Sequence, residues 1–164
     1  RHGGHGRPGD LPFRQDRFVL VAAPTHPLGG RDSVPFAEVM DHDLVGLDRA
    51  AALQRFLSDR AARVGRRLRL RVQLRSFDGI CRLVEGNVGI GIVPETTARR
   101  AARTMNIECI ALTDSWAVRD LKVCTRSRAR LPRFAKLLTD HLLATPPGPG
   151  PLDASAMEPP VAGR

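Results

Sequence analysis

The segment GNVGIG, residues 86–91, has the glycine content of a loop that cradles phosphate. A dinucleotide fingerprint, however, follows a strand and opens a helix, so that the pyrophosphate meets free N–H groups at the helix start. Here the order is reversed. The glycines come after the helix-patterned residues 77–85 and feed a strand beginning at Val88, so they read as a helix end and a tight entry into a sheet. Ser76 with nearby Asp78 supplies part of a nucleophilic set, yet no GxSxG elbow and no identifiable base accompany it. No pair of carboxylates stands out for acid–base work, and no catalytic residue is assigned. His2, His5, His26, His42 and His141 lack HExxH or other paired ligand spacing, and Cys81, Cys109 and Cys124 form no CxxC. The sequence therefore implies no metal, no cofactor and no disulfide framework.

The richest basic run lies between Arg55 and Arg75, where eight arginines stand against one acid, Asp59. Its spacing puts most of them on the outward faces of a helix and a strand, which favours a solvated surface over a phosphate track. Net charge over the 164 residues is +9, but Lys122 and Lys136 are the only lysines. With no Tyr, one Trp and six Phe, little is left for the stacking platforms of single-strand binders. A basic nucleic-acid-binding domain is the weakest of the function classes considered.

The elements that must position these residues follow from periodicity. Length suits one domain, and the 42 % hydrophobic content is that of a globular chain. No apolar run approaches the roughly 20 residues of a membrane span, and no secretory signal is visible, so a cytoplasmic protein without membrane contact is expected. Gly and Pro crowd residues 1–12 and 146–164, which read as a lead (1–10) and a disordered tail (146–164). Between them, residues 16–24 form an uninterrupted apolar strand stopped by Pro24. Ser33 is placed to cap a short helix over 35–40. A strand at 44–47 precedes a helix capped by Asp48, with Leu53, Phe56, Leu57, Ala61 and Val64 at helical spacing until Gly65. Residues 68–74 alternate as a strand; Ser76 then opens a helix carrying Ile80, Leu83 and Val84 that Gly86 closes. A strand at 88–93 ends at Pro94, and a helix runs on through Arg103. Strands at 107–112 and 121–125 follow, and a helix over 132–144 turns Phe134, Leu137, Leu138 and Leu142 inward. Strands alternating with helices predict an α/β domain with a mostly parallel sheet.

Five segments in this order, DRFVLVAAPTHPL, VPFAEVMDHDLVGLDR, RLRVQLRSFDGICRLVEGNVGIGIVPE, LTDSWAVRDLKVCTR and LPRFAKLLTDHLL, resemble the effector-binding region of LysR-type transcriptional regulators. The resemblance covers residues 11–145. It implies a type 2 periplasmic-binding-protein-like fold of two α/β lobes with a small-molecule cleft between them. The second lobe would take residues of about 24–125, and the chain would return to the first lobe at about 126–145. The family's N-terminal helix-turn-helix and most of its first lobe precede the matched region, and the chain begins with Arg, so a fragment or a truncated gene product is expected. By the same resemblance, DNA is contacted only through the absent helix-turn-helix, and the full-length protein is a homo-oligomer, the helix at 50–64 being the pairing candidate. The helix at 132–144 would lack the bed on which it packs in the family.

The first functional expectation is thus the ligand-sensing domain of a LysR-type regulator; a solute-binding protein of an uptake system shares the fold but lacks its signal peptide. In an open parallel α/β sheet, ligands bind beyond the carboxyl ends of the strands, where helix N-termini point. Two junctions qualify: Leu47, Asp48, Arg49 and Ala50, then Arg75, Ser76, Phe77 and Asp78. Ser76 and its neighbouring N–H groups suit a carboxylate, Phe77 an apolar part, and Arg49 or Arg75 the charge, so the expected effector is a small organic anion. The plainer alternative stays open, in which Ser76 only caps its helix and Phe77 belongs to the core.

Overall fold

Alternate side chains of the first strand face two different cores, which is why residues 18–23 are apolar at every position. The computed structural model describes residues 10–125 and 127–144, so the expectations for the N-terminal lead before Asp10 and for the tail lie outside the described residues. Two compact units emerge: Arg17–Val118, and a second made of the flanking segments Arg1–Asp16 and Arg119–Arg164.

In the larger unit, strand β1 (Asp10–Ala22) sends Phe18, Leu20 and Ala22 into one apolar cluster and Val19 and Val21 into another. A turn after Ala22 reverses the chain. There follow β2 (Ser33–Val34), helix α1 (Phe36–Val39), β3 (Asp43–Leu47), α2 (Ala52–Arg63), β4 (Arg69–Leu74), α3 (Phe77–Glu85), β5 (Gly91–Pro94), α4 (Glu95–Ala101) and β6 (Glu108–Leu112). The sheet order is β2-β6-β1-β5, and the β3-β4 pair joins it through a bridge from Leu44 to Ile90. β1 is antiparallel to both β5 and β6, whereas β2–β6, β3–β4 and the Leu44–Ile90 bridge are parallel. The sheet is therefore mixed, and its one reversed strand has a topological cause. The turn changes direction once, and from β2 to β6 each strand is joined to the next through a helix, a connection that preserves direction. Helices α1 and α2 cover one face through Phe36, Val39, Leu57 and Ala61; α3 and α4 cover the other through Ile80, Val84, Ala98 and Ala101.

Local signals were partly redirected by tertiary partners. Ser33 lies in β2, paired with Ala111, and does not cap α1; the Phe36 N–H instead donates to Asp114 Oδ2 at 2.7 Å. Asp48 does not cap α2, whose start has no side-chain cap. Gly65, at φ +70°, ends α2 as expected: its N–H donates to Ala62 O and the Arg66 N–H to Ala61 O, the paired bonds of a left-handed helix stop. At the end of α3 the left-handed residue is Asn87 (φ 53°) rather than Gly86, with its N–H on Val84 O and the Val88 N–H on Leu83 O. Gly89 and Gly91 serve close approach: a Cβ on Gly89 would stand 2.6 Å from Asp43 O, and one on Gly91 would stand 2.5 Å from Ile80 Cγ2.

In the smaller unit, β7 (Val118–Cys124) pairs with β1. Arg119 pairs with Asp16 and Gln15 donates to Asp120 at 3.1 Å. Helix α5 (Arg133–Ala144) forms where expected, but the stripe read as facing inward does not do so. Phe134, Leu137 and Leu138 are exposed, at 83 %, 58 % and 59 %, while Thr139 is buried with its hydroxyl on Ala135 O. The stripe is amphipathic in pattern, but among the described residues no apolar bed covers these three side chains.

Candidate functional site

Parallel pairing of β3 with β4 sets Leu47 opposite Leu74, so the two junctions identified from sequence leave the sheet side by side. The Asp48 N–H donates to Leu74 O at 2.8 Å, and the Asp48 carboxylate holds Arg75 Nε at 3.2 Å. That ion pair uses a side chain that the register leaves off the helix, because α2 begins with Ala51 as its N-cap, three residues past Asp48. It also engages Arg75, whose side chain is otherwise 92 % exposed. Arg49, exposed, has no protein partner among the described residues and is the free cation of this edge.

Ser76 caps α3 as expected: its Oγ accepts the Gly79 N–H at 3.1 Å. The side chain is exposed, so its hydroxyl proton still faces outward. Phe77 is half-buried and packs against the cluster that contains Ile80 and Val84, which makes it part of the core wall at this edge. Asp78 is turned to Arg82 at 3.5 Å, and Ala50 is exposed, its carbonyl accepting Arg55 Nη1 at 2.9 Å. The structure thus brings the eight residues to one sheet edge, with Arg49 and Ser76 as its exposed polar side chains outside any ion pair among the described residues.

Three supports were missed from sequence. Gln54, 3 % exposed, accepts the Leu47 N–H at 3.1 Å and fixes the end of β3; a lone amide on the inner face of an amphipathic helix was the available signal. Gln73 Nε2 donates to Leu47 O at 2.9 Å, tying the same end from β4. A third junction, Pro94 to Glu95, obeys the strand-to-helix rule already applied twice. There the buried Glu95 accepts Arg99 at 2.9 and 3.1 Å and stands 3.8 Å from Arg17.

The basic run resolves into specific partners. Arg55 reaches Ala50 O, Arg60 stacks over Phe56 at 4.9 Å, Arg66 binds Asp41 and Ala37 O, Arg69 and Arg71 hold Asp43, and Arg75 holds Asp48. Among the described residues, Arg63 and Arg67 alone of the eight are left without a partner, so most of this charge is structural rather than a phosphate track. A groove of about 480 Å³ runs along α2 and β4, lined by Arg49, Arg55, Asp59, Arg67 and Leu70 among others; of the eight site residues it includes only Arg49.

Helices alternating with parallel strands, and polar junctions gathered at the strands' carboxyl edge, make this a periplasmic-binding-protein-like α/β domain. Residues 7–146 match the LysR substrate binding domain, and the chain belongs to that family. Among solved structures it is similar to the regulatory domain of CcmR from Synechocystis PCC6803 in complex with 2-PG (17 % identity, TM-score 0.71, 88 % of this chain and 69 % of that one). The effector-binding domain of QuiR in complex with shikimate matches at 19 % identity and TM-score 0.64, over 82 % of this chain and 63 % of that one. The C-terminal domain of a probable LysR family regulator from Rhodococcus sp. RHA1 matches at 20 % and 0.67, over 82 % and 67 %. The chain therefore spans 63–69 % of the length of these relatives. Comparison with curated protein sequences finds no match. Among the described residues, no helix is long and apolar enough to cross a membrane.

Proposed function

We propose that this chain is the ligand-sensing part of a LysR-type DNA-binding regulator, with the second lobe at about 24–125, the return to the first lobe at about 126–145, and the effector in the cleft between them. The carrying observation is the register of β3 and β4, which sets Arg49 and Ser76 at one carboxyl edge of the sheet. A free guanidinium beside a helix N-terminus whose cap hydroxyl points outward suits a small organic anion. The ligands named for two relatives, shikimate and 2-PG, support a small molecule, and shikimate is a carboxylate. DNA recognition belongs to a helix-turn-helix outside these residues, biased by cleft closure through population shift. Homo-oligomeric pairing, with α2 as the candidate element, belongs to the full-length regulator.

The test uses the upstream-extended protein. Ser76→Ala and Arg49→Ala variants lose effector response while keeping fold and DNA binding. Normal response in both rejects the site.

A further inference from the structure

At the sheet edge opposite those junctions, His26 and His42 face one another with ring centroids 4.9 Å apart, edge to face. His26 sits in the turn that reverses the chain after β1, and His42 immediately precedes β3. The turn is held by three bonds: His26 N–H to Ala23 O at 2.9 Å, Gly29 N–H to His26 O at 2.7 Å, and Leu28 N–H to His26 Nδ1 at 3.1 Å. The third bond makes Nδ1 an acceptor, so the ring proton is assigned to Nε2 and His26 is neutral in the closed turn. Leu28, 2 % exposed, is the residue this bond delivers into the core beside Phe18 and Leu20.

We propose that the His26–His42 pair is an acid-sensitive latch: protonation of His26 removes the acceptor for the Leu28 N–H, sets a cation against the His42 ring, and opens the turn so that Leu28 leaves the core. Four carboxylates on the flanking segments are already engaged. Asp41 pairs with Arg66, Asp43 with Arg69 and Arg71, Glu38 with Arg31, and Glu108 accepts the Gly30 N–H. Asp32, beyond the turn, gives its backbone carbonyl to the Ala111 N–H, and its exposed carboxylate has no partner among the described residues. Burial first, and His42 second, hold His26 below the ordinary value of 6.5. Because the closed turn binds the proton less well than the open one, closure is complete above 6.5 and is lost as pH falls through the lowered value.

The experiment is amide exchange of the 164-residue chain, corrected for intrinsic rates, between about pH 5 and about pH 8. Protection at Leu28 should be flat above 6.5 and then fall, by up to about tenfold per pH unit for each proton taken up, while Ile80 in α3 keeps its protection. In His26→Asn, the side-chain oxygen still accepts the N–H two residues on but does not titrate, so Leu28 protection should become independent of pH. In His42→Asn, His26 is less depressed, and the total loss should shrink. Flat protection in the parent chain, a parallel fall at Ile80, or an undiminished acid loss in His26→Asn overturns the latch.

Discussion

Adding one methyl group within GNVGIG should have opposite effects three residues apart. At Gly89 the new Cβ meets Asp43 O at 2.6 Å and Asp43 C at 3.2 Å, backbone atoms that have nowhere to go. Asp43 O also accepts the Ile90 N–H at 3.0 Å, and Ile90 O accepts the Val45 N–H at 2.8 Å; these bonds join β3 to β5. Relieving the clash means parting that seam. Overpacking of this kind costs about 1–3 kcal/mol, and two weakened backbone bonds add about 0.5–1.5 kcal/mol each, so Gly89→Ala should lose about 2–6 kcal/mol. That is a large share of a total near 5–15 kcal/mol. At Gly86, φ is −74° and the nearest atoms stand at 3.6 and 3.8 Å, ordinary contact, so Gly86→Ala should be neutral or stabilise by about 0.4–1 kcal/mol through the unfolded chain. Urea unfolding of the two variants reads both signs: with a slope of about 2 kcal/mol per molar, Gly89→Ala should lower the midpoint by about 1–3 M. A Gly89→Ala chain as stable as the parent, or a Gly86→Ala chain destabilised to the same degree, refutes the close-approach argument.

Other outcomes follow from single contacts. Asp114→Ala, which removes the acceptor of the Phe36 N–H, should cost about 1–2 kcal/mol in chemical unfolding, with Asp114→Asn recovering part of it. Thiol labelling of the folded chain should reach the exposed Cys124 first. Burial, then Asp78 and Cys109, push the Cys81 thiol up to about 11, and burial also raises Cys109, so rapid labelling of Cys81 without unfolding contradicts the packing of α3. Because Phe134 and Leu138 are exposed, changing either to Gln should alter stability by less than about 0.5 kcal/mol, and α5 amides should exchange fast; strong protection there would show a covering surface.

Elements governed by neighbours in sequence were legible; those governed by distant partners were not. Ser76 capped its helix because the Gly79 N–H it satisfies is three residues away. Asp48 has the same capping chemistry, but α2 starts three residues further on at Ala51, and Arg75, brought alongside by the β3–β4 pair, takes the carboxylate instead. Ser33 yielded to a strand partner in β6, and α1 found its acceptor in Asp114 from beyond β6. At the candidate site, the strand-end rule located both junctions. The division of labour between Arg49 and Arg75 depends on that one ion pair and had no local signature. Helix periodicity in α5 reported which residues share a face, and was silent on whether anything lies against it.

The single reversal of direction after β1 has a kinetic consequence. β1 carries the apolar run 18–23 and is made before the other described strands, yet the partners of Phe18–Ala22 are β5 and β6, the last two strands of the parallel set to be synthesised. Until Glu108–Leu112 emerges, residues 18–23 have neither ladder partner from β6 nor a finished core on either face. Such late, non-local closure is the slow step in sheet-centred folds and the interval in which an unpaired strand finds wrong neighbours. Nascent chains paused before β6 should therefore be the species most dependent on a holding chaperone.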